Sequence, residues 1–191
     1  MKKILFITTR NPYSGRYSGD VIRSLKIINL FKKKYKLDIV CLKDKDSELK
    51  INNLITYNYP NFFKKIFYCL VSFLKLQPLQ FGLFYSKEMK VFIKENADNY
   101  DFLFFYHIRS SQYFPENYYG KTIIEMGDIY SENYLQTFKY LRFFNPLKYI
   151  YLLESYLVKK IEEKILFNFD KIILFSKTEK ELINKKFKNK I

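Results

Sequence analysis

The sequence predicts an α/β fold, a parallel β-sheet with helices on both faces. Three observations carry this. Strand-like and helix-like segments alternate along the chain. The strand-like segments are continuous apolar runs, as strands covered on both faces must be, rather than runs alternating with polar residues. A glycine-bearing loop joins the first run to a helical pattern, at the kind of junction where parallel sheets bind ligands. The chain has 191 residues, 48% of them hydrophobic and 20% aromatic, which is enough to build one sizeable core. A single domain over residues 1–191 is expected.

The elements follow in order. Lys3–Thr8, KILFIT, is a first strand. Residues 19–34 form a helix, with Val21, Leu25, Ile28 and Phe31 as its apolar stripe and KKKYK near its negative end. LDIVCL at 37–42 is a second strand, and 43–53 a charged loop. Residues 54–59 are a short third strand. Residues 62–76 form an aromatic-rich helix, which Pro78 ends. A helix over 86–96 precedes the strongly apolar strand YDFLFFY at 100–106. KTIIEM at 121–126 is another strand. Helices over 131–142 and 147–167 follow, the second long and amphipathic. DKIILF at 170–175 is the last strand. A final helix over 176–187 opens with Ser176 as a cap and Glu179 three residues on, the spacing of a capping box.

Several chemistries are excluded by pattern. The two cysteines, Cys41 and Cys69, have no CxxC partner and no histidine near them in sequence, and read as reduced thiols. No His/Cys/Asp group has metal-ligand spacing, and no metal is expected. The MKK start is basic, but the apolar run after it is too short for a secretory signal and stops at Thr8-Thr9-Arg10. No segment reaches the length of a spanning helix. The longest apolar run, IFYCLVSFL from Ile66, lies between Lys64-Lys65 and Lys75, and is either a buried helix or one lying flat on a membrane surface.

With 34 Lys+Arg against 19 Asp+Glu the net charge is +15. That sign favours polyanions: nucleic acid, anionic lipid or phosphorylated ligands. The excess is mostly lysine spread along the chain, and the absence of Trp beside many Lys, Ile, Asn, Phe and Tyr points to an AT-rich coding bias that accounts for part of it.

The loop of residues 11–19, NPYSGRYSG, places Gly15 and Gly19 four residues apart at the mouth of a helix, with Asp20 and Arg23 just inside. Glycine tolerates positive φ and lets a ligand approach the backbone, and a helix starting at Gly19 aims amides and a positive dipole end at the site, which suits phosphate. No Gly-Lys-Ser/Thr follows, so this is not a Walker loop, and the third glycine of GxGxxG is absent. A tight turn before a capped helix is the other reading.

This segment as a whole, MKKILFITTRNPYSGRYSGDVIRSLKIINLFKKKYKLDIVCL, resembles the start of the amino-terminal domain of family 4 glycosyltransferases, of the GT-B type. In that family a first strand, a glycine-containing loop, a helix with an Arg in its first turns and a second strand follow one another. YDFLFFYHIRSSQYFP is similar to the family's apolar strand ending in His and followed by a helix. KTIIEMGDIYSENY is similar to its strand ending in an acidic D-x-x-S turn, and YLLESYLVKKIEEKILFNFDKIILFSKTEKELI to its later E…YE…fD.viv.S segment. The ordered set spans nearly the whole chain.

The resemblance implies a Rossmann-like half of a two-domain enzyme that moves a sugar from a nucleotide-sugar to an acceptor hydroxyl, in polysaccharide or glycolipid synthesis. It implies no cofactor beyond the nucleotide-sugar substrate. The basic and aromatic residues of 62–76 either hold a cytoplasmic protein at the anionic inner membrane face, where lipid-linked acceptors lie, or pack onto the sheet or face the missing domain. Nucleic acid is not the expected partner. The family's donor-binding second domain has no counterpart here, and the expectation is a domain incomplete alone, completed by a separate donor-binding domain.

On the same resemblance His107, the only histidine, lines the acceptor pocket, where it orients a hydroxyl or stabilises charge near the leaving phosphate; otherwise it is a satisfied loop histidine. Asp128 either binds the acceptor hydroxyl and helps as a base, or caps the helix near Ser131. Gly15, Gly19, Asp20, Arg23 and Arg109 form the donor-phosphate side. Arg23 reaches a phosphate or pairs with Asp20, and Arg109 contacts a phosphate or a sugar acid. Glu162 reads as solvated helix face, and Glu154 as an interdomain or structural contact. Two rival expectations stand beside this one: a non-catalytic basic α/β module that binds a membrane or polyanion, and a different phosphate-binding enzyme of this fold class.

Overall fold

The computed structural model describes residues 1–15, 17–43, 51–175, 179 and 181. Six parallel strands form one sheet: β1 (Lys3–Thr8), β2 (Lys36–Lys43), β3 (Leu54–Asn58), β4 (Phe102–Tyr106), β5 (Lys121–Gly127) and β6 (Lys171–Leu174). Their order across the sheet is β3-β2-β1-β4-β5-β6. The chain winds outward from β1 one way and from β4 the other. The loops leaving those two central strands diverge and open a crevice at the carboxyl edge.

Among the described residues these α-helices accompany the sheet: α1 (Gly19–Lys32), α2 (Phe62–Leu74), α3 (Leu79–Leu83), α4 (Lys87–Asn96), α5 (Tyr130–Tyr140) and α6 (Pro146–Asn168). One sheet face, with Ile4, Phe6, Phe104 and Tyr106, packs on Ile28 of α1. The other, with Leu5, Ile7, Leu103 and Phe105, packs on Met89 and Ile93 of α4 and Val158, Ile161 and Ile165 of α6. β1 and β4 are buried on both faces, which is why their sequences do not alternate. Helix starts follow local chemistry. The Asn61 side chain accepts from the Lys64 amide, the Ser86 hydroxyl from the Met89 amide and the Asn145 side chain from the Leu147 amide, with Pro146 opening α6.

All of the predicted strands form. β4 starts later than expected because Tyr100 and Asp101 follow a 3-10 turn, Ala97–Asn99. The helix expected after His107 is a 3-10 helix, Ile108–Tyr113, and α3 was not foreseen. The expected final helix, with Ser176 as its cap, lies outside the described residues but for Glu179 and Glu181.

One helix reading needs correction, and two that the sequence left open are decided. Glu162 is not on a solvated face. It is buried, and its carboxylate accepts from the Ser131 amide (3.1 Å) and hydroxyl, because α5 ends its first turn against α6 and needs an acceptor there. Glu154 is a contact inside this domain: buried on α6, it accepts from the Leu79 amide at the start of α3. Helix α2 is not a buried helix, since of its thirteen residues only Ser72 is buried. Among the described residues no helix is long and apolar enough to cross a membrane.

Candidate functional site at the carboxyl edge

The ends of β1, β4 and β5 are neighbours in the sheet, with Thr8 beside Tyr106 and Tyr106 beside Glu125. Strands lie about 4.8 Å apart, so residues just past these ends share a rim roughly 10 Å wide. Gly19, His107 and Asp128 each follow one of these strands. A narrow notch lies between β1 and β4, lined by Thr8, Thr9, Arg10, Asp20, Tyr106 and His107 among others. Its free volume is ≈ 10 Å³, room for one water, so nothing larger fits inside it.

His107 is held in a conformation that L-residues avoid, φ 72 and ψ 148. Its amide donates to the Glu125 carbonyl (2.7 Å), and its carbonyl accepts from the Ser110 amide (3.0 Å) and hydroxyl (2.7 Å). The imidazole packs on the Tyr130 ring, centroids 4.5 Å apart. Nδ1 accepts from the Arg109 amide at 3.4 Å, which leaves the proton on Nε2. Burial, reinforced by the Arg109 and Arg10 charges, pushes the ring's pKa down to about 3. The imidazole is therefore neutral at physiological pH, a donor through Nε2–H and not an imidazolium acid.

Arg10 pairs with Asp20 at the mouth of the notch. Burial alone would raise the Asp20 carboxyl, but hydrogen bonds from Ser18 and Arg10 together with the Arg10 charge hold it below its usual value. The Tyr106 hydroxyl donates to the Asp20 carbonyl (2.7 Å) and ties the start of α1 to β4. Arg109 donates from Nε to Gln80 Oε1 (2.8 Å) and stacks over Phe84 at 4.5 Å. Burial and the nearby Arg10 guanidinium lower its pKa. Two guanidinium groups face one carboxylate across the notch, beside the amino end of α1. The Glu154 carboxyl also lies near Arg109, and the two guanidiniums beside a helix amino end are a fit for an anion.

Arg23 does not pair with Asp20. It forms an ion pair with Glu125 Oε1 at 3.2 Å and stacks on the Phe175 ring, because Asp20 lies on the Arg10 side of α1. Burial raises the Glu125 carboxyl to about 7, Arg23 opposes that rise and Asp128 adds to it. Asp128 does not cap α5, whose cap residue is Ile129 with no side-chain cap bond. Gly15, at φ 72, makes the turn that follows the Asn11 side-chain bond to the Tyr13 amide (2.9 Å), and faces open space, as Gly19 does.

Arg10, Glu125 and Gln80 were not singled out from the sequence. Arg10 directly follows a strand end, and Glu125 is a lone charge inside an apolar strand; both are usable signals. Gln80 carries none.

No family model matches the chain, and no curated protein matches it. Among solved structures it is similar to a sucrose-phosphate synthase from Thermosynechococcus elongatus. The two share 12% sequence identity with a TM-score of 0.52, over 96% of this chain and 82% of that one. At that identity the likeness is one of fold: a Rossmann-like α/β unit built on one parallel sheet.

Proposed function

We propose that this chain is the acceptor-side domain of a GT-B glycosyltransferase, of the family 4 kind, working with a separate donor-binding domain. The observation that carries the reading is the positively charged notch at the switch point, with neutral His107 inside it and Asp128 on the same rim. In the reaction the bond from the sugar's anomeric carbon to the donor phosphate breaks and a bond to the acceptor oxygen forms. The acceptor proton leaves to the phosphate or to Asp128. His107 Nε2–H orients the acceptor hydroxyl. Arg10, Arg109, Arg23 and the amides at Gly19 bias the site toward the diphosphate, with the Gly15 turn alongside. The acceptor is a sugar or a lipid-linked sugar in polysaccharide or glycolipid synthesis, at the cytoplasmic face of the membrane.

The test is sugar transfer by this chain expressed with a donor-binding α/β domain. His107→Ala and Asp128→Asn should each lower kcat by about 10²-fold or more. Transfer unchanged in both variants removes the assigned roles. The chain alone should bind a nucleoside diphosphate only weakly; tight binding would favour a different phosphate-binding enzyme.

The exposed face of α2 favours a second reading, a basic module that docks on an anionic membrane. Phe62, Phe63, Phe67, Leu70 and Leu74 are exposed there beside Lys64, Lys65 and Lys75. Vesicle sedimentation checks it, because Phe67→Asp or Leu70→Asp should reduce binding and equal binding rejects the contact.

A further inference from the structure

The exposed apolar side chains are not spread evenly. Of the twenty-six large ones among the described residues, sixteen fall in two stretches, residues 51–87 and 133–153. Neither stretch contains an Asp or a Glu. The first holds α2. The second holds the turn between α5 and α6, where Phe143 is 68% and Phe144 92% exposed. The two rings meet edge to face at 5.4 Å, and Tyr149 backs Phe143 at 6.4 Å. Lys139, Arg142 and Lys148 lie within five residues of them in sequence, with Lys148 Nζ bonded to the Leu141 carbonyl (2.9 Å) and set over the Phe138 ring.

The topology fixes where this turn stands. α5 leaves the carboxyl end of β5, and α6 returns to the amino end of β6. Ser131 bonds Glu162, so Glu162 marks the level of the carboxyl edge. Leu157, Val158 and Ile161 still pack in the core, so the part of α6 that runs beyond its packed stretch is residues 146–153, about 12 Å long and without a buried residue. Helix α2 also leaves a carboxyl end, that of β3, packs on α3 and is linked to α6 through it. Cys69 Sγ bonds the Leu79 carbonyl (3.4 Å), the Leu79 amide bonds Glu154, and burial, with the Glu154 charge adding to it, raises the Cys69 pKa. Both apolar elements thus stand on the side to which the notch opens.

We propose that Phe143 and Phe144, with their collar of Lys139, Arg142 and Lys148, form a wedge that inserts into an anionic lipid surface beside the notch. The charge pattern selects this occupant. Two exposed rings are flanked in sequence by three cations and by no carboxylate over residues 133–153, which matches acyl chains beneath anionic headgroups. The proposal extends the lipid-contact reading of α2 to a second element, and two such contacts hold a protein where one gives marginal binding.

The chain has no tryptophan, so Phe144→Trp makes a single reporter. Vesicles of phosphatidylglycerol with phosphatidylcholine should shift its emission to the blue, and brominated lipid should quench it. Pure phosphatidylcholine should do neither. The pair Phe143→Ser and Phe144→Ser should lower partitioning into the anionic vesicles at least about tenfold, with an unchanged far-UV spectrum. A Phe67→Trp protein reports on α2 separately. If Phe67→Trp responds and Phe144→Trp does not, the wedge is rejected while the α2 contact stands. If neither responds, both are rejected. A blue shift that grows with protein concentration without lipid would mean a second copy covers the turn, and would also overturn the proposal.

Discussion

At the residue scale, His107 joins strain to position. A residue at φ 72 with ψ 148 costs about 1–3 kcal/mol unless it is glycine. His107→Gly should therefore be more stable than His107→Ala by roughly 1 kcal/mol in urea unfolding, although both lose the imidazole. Equal stabilities would mean the backbone relaxes. With its pKa pushed down to about 3, the native ring should show no titration in the imidazole NMR signals between pH 5 and 8. Glu125 runs the other way. Its folded pKa, about 7, lies above the ordinary value of 4.5, so its contribution is fully present below 4.5 and fades as pH rises through 7. The melting temperature of the native protein should fall by roughly 5 °C relative to Glu125→Gln between pH 5 and 8. Parallel curves would show that Arg23 keeps the carboxylate ionised throughout.

At the scale of elements, contacts that no local pattern announces hold α3 and α5 in place. A methyl on Gly82 would sit 2.5 Å from the Tyr68 carbonyl carbon in the backbone of α2. Gly82→Ala should cost roughly 3 kcal/mol and loosen Gln80, and with it Arg109. Glu162→Ala leaves the Ser131 amide and hydroxyl without their acceptor inside the domain and should cost roughly 2 kcal/mol in denaturant unfolding. Helix α2 is the contrast. Its aromatic content reads as core by composition, yet its backbone packs on α3 while most of its large rings face outward.

At the scale of the whole molecule, stability concentrates in the middle of the sheet. β1 and β4 bond each other and are covered on both faces, so Leu5–Ile7 and Leu103–Phe105 should be the slowest amides in hydrogen exchange, with β3 and α2 among the fastest. The crevice sits above this rigid centre, which suits a site that must keep its geometry while a second domain or a lipid surface approaches.

The strands, most helix starts and the glycine-bearing loop were legible in the sequence because periodicity, caps and turn residues act over a few neighbours. The same logic placed His107 and Asp128 just past strand ends, on what proved to be a common rim. Packing alone decided the partners. Arg10 takes Asp20 and leaves Arg23 to Glu125, Arg109 is held by Gln80, and Glu162 serves Ser131. These pairs form across helix–sheet and helix–helix contacts between residues up to about a hundred positions apart, and a side chain's local sequence carries no record of which surface will face it. The exposure of α2 and of Phe143 and Phe144 belongs to the same class, since apolar periodicity states that a face seeks cover and only the tertiary arrangement determines whether this domain supplies it.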